Sequence, residues 1–126
     1  MDIPTLISVV DDDESVRESL PDLLKEFGFA AQSFSSAEEF LTSNYLHETK
    51  CLILDVAMPG LSGPDLQREL KRRQHEIPIV FITANCNETL RAQLISNGAV
   101  ECLFKPFSDS ELLDALKNLL ERSSSI

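Results

Sequence analysis

A chain of 126 residues matches one compact domain and leaves no room for two of ordinary size. With 43% apolar and 25% charged residues it can bury a core, which excludes a disordered segment. Eleven Lys and Arg against 21 Asp and Glu leave a net charge of -10, a field that repels phosphate backbones and anionic lipid heads, so no direct nucleic-acid or membrane binding is expected.

In chain order, the start MDIPTLISVVDDD lacks the basic region and cleavage site of a secretory signal. No apolar run approaches the ~18 residues that span a bilayer, and a soluble, cytoplasmic protein is expected. Leu6-Ile7-Ser8-Val9-Val10 is too short for a helix and lacks polar alternation, as expected of a strand covered on both faces. It runs into Asp11-Asp12-Asp13, of which Asp13 with Glu14 reads as ordinary helix-start chemistry. Val16, Leu20, Leu23, Leu24 and Phe27 then share a helical face, with a kink expected at Pro21. A weaker strand covers Ala30 to Phe34, and Ser36-Ala37-Glu38-Glu39 reads as a capping box before Phe40 and Leu41.

Cys51-Leu52-Ile53-Leu54 repeats the buried-strand pattern and ends in Asp55. Gly63-Pro64 opens a helix carrying Leu66 and Leu70. Ile77 to Ile82 is the next apolar run and ends in Thr83. Asn87 caps a helix with Leu90, Leu94 and Ile95 that stops at Gly98; its thin apolar stripe predicts the least firmly held helix. The last strand, Ala99 to Phe104, ends in Lys105, and a second capping box, Ser108-Asp109-Ser110-Glu111, starts a helix with Leu112, Leu113, Leu116, Leu119 and Leu120. The domain is expected over residues 1–122, with 123–126 either a frayed end or the start of a linker.

Five strands alternating with five helices predict a single doubly wound parallel sheet, because parallel neighbours need crossover helices. Ligands of such sheets bind outside the carboxyl ends of the strands. Asp11, Asp12, Asp55, Thr83 and Lys105 should therefore open onto one crevice. Crowded carboxylates repel by about 4 kcal/mol per pair at ~4 Å, and a hard divalent cation relieves this. Oxygen ligands without His or Cys favour Mg²⁺ or Mn²⁺. Facing a Lys and a Thr hydroxyl, the pocket suits a transferring phosphoryl group, the nucleophile being water or the Asp55 carboxylate. His47 and His75 read as solvated surface. Cys51, Cys86 and Cys102 read as reduced thiols, with no disulfide and no zinc site.

VVDDDESVR, LILDVAMPGLSG, IVFITA and LFKPF, in this order and spacing, make residues 3 to about 122 resemble the receiver domain of two-component response regulators. ESVRESL, SAEEFL and KPFSDSELLDAL resemble the FixJ/NarL-type subgroup. The resemblance implies a flavodoxin-like sheet of order 2-1-3-4-5, no turnover of small molecules, and phosphorylation of Asp55 by a partner sensor histidine kinase. It implies Mg²⁺ held by Asp12, Asp55 and the backbone carbonyl of Ala57, with Asp11 acting through a metal-bound water. Lys105 would pair with the phosphoryl group, Thr83 would swing in to hydrogen-bond it, Ala84 would leave space beside it, and Lys105-Pro106 would be cis. The output would be a changed surface, used for homodimerisation or for releasing a helix-turn-helix DNA-binding module and so for regulating transcription.

The switch position three before the lysine, aromatic in most receivers, is Cys102. A smaller buried side chain, a redox-sensitive variant and an output surface that works without the ring are the competing readings. A degenerate receiver that binds protein without phosphate is the alternative function. A phosphohydrolase of the haloacid dehalogenase type would place a second Asp where Ala57 stands. A nucleotide-binding module would want glycines where the first turn has Asp-Asp-Asp.

Overall fold

A computed structural model describes residues 4–85 and 87–124, the last four as backbone only. Met1 to Ile3, Cys86, Ser125 and Ile126 lie outside the described residues. Elements alternate as expected: β1 (Leu6–Val10), α1 (Glu14–Glu26), β2 (Ala30–Phe34), α2 (Ala37–Leu41), β3 (Cys51–Asp55), α3 (Gly63–Arg72), β4 (Ile79–Thr83), α4 (Glu88–Ser96), β5 (Glu101–Phe104) and α5 (Asp109–Ser124). All pairings are parallel, and the order is β2-β1-β3-β4-β5. The last helix continues through Ser123 and Ser124, two residues into the segment expected as a tail.

Alternate side chains of each strand face opposite layers, so one sheet serves two cores. Ile7, Val9, Ile53, Val80, Ile82 and Leu103 bury against Leu20 and Leu24 of α1 and Leu112 and Leu116 of α5. On the other face Val10, Leu52, Leu54, Phe81 and Cys102 bury against Phe40 of α2, Leu66 and Leu70 of α3, and Leu94 of α4. That explains the unbroken apolar runs of β3 and β4, which are buried at every position. Ser8, in the middle of β1, is satisfied by Thr49, Oγ to Oγ1 at 2.7 Å.

The helix ends follow their capping residues. Ser108 and Glu111 form a reciprocal box, each backbone N–H donating to the other's side chain. Ser36 accepts from the Glu39 amide, whereas the Glu39 carboxylate accepts from the Ser35 hydroxyl, so only half of that box forms. A reciprocal box that the sequence reading did not isolate joins Ser62 and Asp65 at the start of α3. The first helix runs from Glu14 to Glu26 through Pro21, which is buried. In α4 only Leu94 is buried, in line with the thin stripe; Arg91 ties it to β5 through Glu101 at 2.5 Å. The same Glu101 carboxylate accepts the Cys102 amide, capping an N–H on the sheet's edge strand.

Candidate functional site

The carboxyl ends of β1, β3, β4 and β5 are brought side by side by the sheet order. Asp11, the residue after β1, is fully buried, and its amide donates to the Phe34 carbonyl at the end of β2 at 3.1 Å. Asp55 ends β3 and is 6% exposed, whereas Asp12 is exposed at the edge of the cluster. One carboxylate oxygen from each of Asp11, Asp12 and Asp55 lies within 4.8 Å of the others. From the end of β5, the Lys105 ammonium donates to Asp11 Oδ2 at 2.9 Å and stands 3.8 Å from Asp55 Oδ1. Two of the three carboxylates thus face the Lys105 ammonium, and Asp11 and Lys105, 94 positions apart in the chain, are in direct contact.

This imbalance shows in the acid–base chemistry. Burial first, and the Asp11 charge second, push the Asp55 carboxyl up to about 7, against an opposing pull from Lys105. Burial draws the Lys105 ammonium down, but its hydrogen bond to Asp11 and the charges of Asp11 and Asp55 outweigh that and hold it above its ordinary value. The pocket as it stands is short of positive charge. All three carboxylates present hard oxygen donors on one side, the set that suits a small divalent cation.

Each group is fixed by its backbone. The Asp11 carboxylate accepts the Asp13 amide at 2.9 Å, and Asp13 in turn caps α1 by accepting from the Ser15 amide and hydroxyl. The loop leaving β3 is tied to β4 by the Val56 amide on the Ile82 carbonyl. Thr83 is 3% exposed at the end of β4; its carbonyl accepts the Lys105 amide at 2.7 Å and its hydroxyl accepts the Asn85 amide at 3.1 Å. Ala57 lies exposed in the loop two residues past Asp55, Ala84 is exposed beside Thr83, and the Lys105-Pro106 bond is cis.

Cys102 is 3% exposed, on the sheet face that α4 covers. Burial pushes its thiol up to about 11, the opposite of the low value that makes a cysteine redox-reactive. Cys102 is thus placed as a small buried side chain in the apolar layer under α4.

Sequence reasoning missed four contributors. Arg17 reaches from α1 to donate to the Asp11 carbonyl at 3.0 Å. Asn85 holds the Thr83 hydroxyl, and Glu38 of α2 accepts from the Leu61 amide in the loop after β3 at 3.4 Å. Gly63 was read only as a helix opener. A Cβ there would stand 2.3 Å from the Asp55 carbonyl oxygen and 2.9 Å from the Phe81 ring, so glycine is what lets α3 start against the Asp55 backbone. The Asn85 contact is a local turn two residues past Thr83 that a Thr at a strand end could have signalled, whereas the other three join separate elements and carry no local pattern.

With this geometry in hand, comparison with known proteins gives a consistent result. Residues 7–117 match the model of the response regulator receiver domain. Nodulation protein W of Bradyrhizobium diazoefficiens is 45% identical over 117 residues, covering 93% of this chain and 52% of that protein. Response regulator protein TodT of Pseudomonas putida is 40% identical over 120 residues, covering 95% of this chain and 53% of that protein. The crystal structure of FixJ-N superimposes with a TM-score of 0.83 at 32% identity, covering 96% of both chains. The present chain spans about half the length of the two curated relatives.

Proposed function

The chain belongs to the response regulator receiver domain family, of FixJ/NarL type, and on that premise we propose that it is the phosphoacceptor module of a two-component system, modified at Asp55 by a sensor histidine kinase. The observation that carries this reading is the buried Asp55 carboxylate with Asp11, Asp12 and Lys105 around it. Asp12, Asp55 and the Ala57 carbonyl would hold Mg²⁺ or Mn²⁺, with Asp11 acting through a water on the ion. When bound, the ion would supply positive charge that stabilises the transferring phosphoryl group.

An Asp55 oxygen forms the new P–O bond as the P–N bond of a phosphohistidine breaks; the bonding pair leaves on the imidazole nitrogen, which takes up a proton. Lys105, already oriented by Asp11, meets one phosphoryl oxygen. Thr83 gives up the Asn85 amide and turns its hydroxyl towards the new group. Moving such an equilibrium from 1:99 to 99:1 takes about 5.5 kcal/mol of differential stabilisation, within reach of a few charge-assisted contacts. α4, held by one buried leucine and the Arg91 to Glu101 pair, is the element that follows. With Cys102 beneath it in place of a ring, the threonine carries the switch without an aromatic partner.

The output is a changed surface serving homodimerisation or an effector domain, and the reading places the domain over residues 1–122, in the cytoplasm, within a regulator of transcription. No helix among the described residues is long and apolar enough to cross a membrane. Incubation with acetyl phosphate and Mg²⁺ followed by intact mass measurement tests the reading. One phosphoryl adduct, lost in Asp55→Asn, is expected. Absence of the adduct would make the chain a phosphate-independent binding module, and steady turnover of a small phosphate ester would make it a phosphohydrolase.

A further inference from the structure

At the end of the sheet opposite the acidic cluster, two histidines that are 28 positions apart in sequence face each other. His47 lies in the loop entering β3 and His75 in the loop entering β4, with ring centroids 4.9 Å apart and planes at 57°. We propose that His47 and His75 form a two-imidazole site for a borderline transition-metal ion of the Zn²⁺, Cu²⁺ or Ni²⁺ class. The proposal is independent of the phosphorylation reading, because it uses other residues at the other end of the strands.

The spacing carries the idea. With metal to imidazole nitrogen bonds of about 2.0–2.1 Å and a tetrahedral angle between them, two rings sharing one ion have centroids about 5 Å apart. The observed centroid separation of 4.9 Å matches that value. Both backbones are also fixed. The turn before β3 is closed by the Glu48 and Thr49 amides on the Tyr45 carbonyl, and by the Thr49 hydroxyl on the same oxygen at 2.7 Å. After α3 the chain turns through Gln74, whose φ of 63° is uncommon outside glycine. That turn returns the His75 amide to the Leu70 carbonyl at 2.9 Å and the Gln74 amide to the Lys71 carbonyl at 3.0 Å. A left-handed residue directly before one histidine, and a hydroxyl-closed turn beside the other, fix the backbone from which both imidazoles project.

The donors also sort the ions. Lys50 and Lys71 line the same surface and oppose every dication alike, so the choice rests on the ligand atoms, and the single carboxylate of Glu76 cannot replace the shell of Mg²⁺. Imidazole nitrogens suit Zn²⁺, Cu²⁺ and Ni²⁺. His47 is exposed and His75 half-buried, so water can complete the coordination.

The test is titration of the 126-residue chain with Zn²⁺ in excess Mg²⁺, which occupies the oxygen site, while the imidazole C–H resonances are followed by NMR. Both histidines should shift together and saturate at one equivalent, and Zn²⁺ should raise the midpoint of thermal unfolding. His47→Gln and His75→Gln should each abolish both effects while leaving the acetyl phosphate adduct unchanged. Shifts of one ring alone, no shift at all, or Zn²⁺ binding that survives both substitutions would overturn the proposal; loss of the adduct without loss of these shifts would count against the phosphorylation reading only.

Discussion

Asp55→Asn should make the metal-free protein more stable at neutral and alkaline pH. The Asp55 carboxyl is held at about 7 by burial and by Asp11, against an ordinary value of 3.8, so the fold disfavours its charged form. A carboxyl raised in this way leaves stability intact at pH values below 3.8, loses it progressively as pH climbs towards 7, and adds no further loss beyond that. Each pH unit of displacement corresponds to 1.36 kcal/mol, which bounds the full penalty at about 4 kcal/mol. Asp12 opens the cluster to solvent, and screening there brings the expected effect to about 2 kcal/mol. Urea unfolding in EDTA at half-unit steps from pH 3.5 to 8 measures it. Asparagine removes the charge at nearly constant volume, so the two proteins should be close in stability at pH 3.5, with the gap opening above the ordinary 3.8 and reaching about 2 kcal/mol in favour of Asp55→Asn by pH 8. Saturating Mg²⁺ should stabilise the wild type and shrink or reverse the gap. A variant no more stable than wild type at pH 8 in EDTA, or a gap that stays constant over this range, would refute the electrostatic account.

Lys105→Met takes away the donor 2.9 Å from buried Asp11 and should cost about 1–3 kcal/mol in urea unfolding at pH 8 without metal, with partial recovery in Mg²⁺. Because the ammonium sits above its ordinary 10.5, the wild-type advantage should hold below that pH and fade as pH rises past it. Gly63→Ala would drive a methyl into the Asp55 carbonyl and the Phe81 ring, where backbone cannot yield cheaply. A loss of about 2–3 kcal/mol is expected, together with a slower acetyl phosphate reaction, and an unchanged unfolding midpoint would contradict the close approach. Cys51 and Cys102, pushed up to about 12 and about 11 by burial, should resist iodoacetamide at pH 8 in the folded state and react in urea, as read by peptide mapping. Rapid labelling of Cys102 in the native protein would revive its redox reading.

The element order was legible because local signals agreed. Apolar runs of four to six residues bounded by helix starts can pack only as strands covered on both faces, and Ser108, Asn87 and Asp13 announce the helices that they cap. Asp11, Asp12, Asp55, Thr83 and Lys105 were legible for the same reason: each lies at or just past the carboxyl end of a buried strand, and parallel strands bring all such ends to one edge. Pairwise geometry was not legible. That Lys105 bonds Asp11 and stands farther from Asp55, that Arg17 holds a carbonyl from a neighbouring helix, and that Gly63 makes room for the Asp55 backbone depend on distances between elements far apart in sequence. The two histidines show the same divide most sharply, since each read alone as solvated surface and only the crossover through α3 brings their rings together. Periodicity and capping are encoded within a few residues, so sequence alone determined which elements form and which polar groups end them. Charge balance, close approach and ring pairing arise between elements, and only their packing decided those.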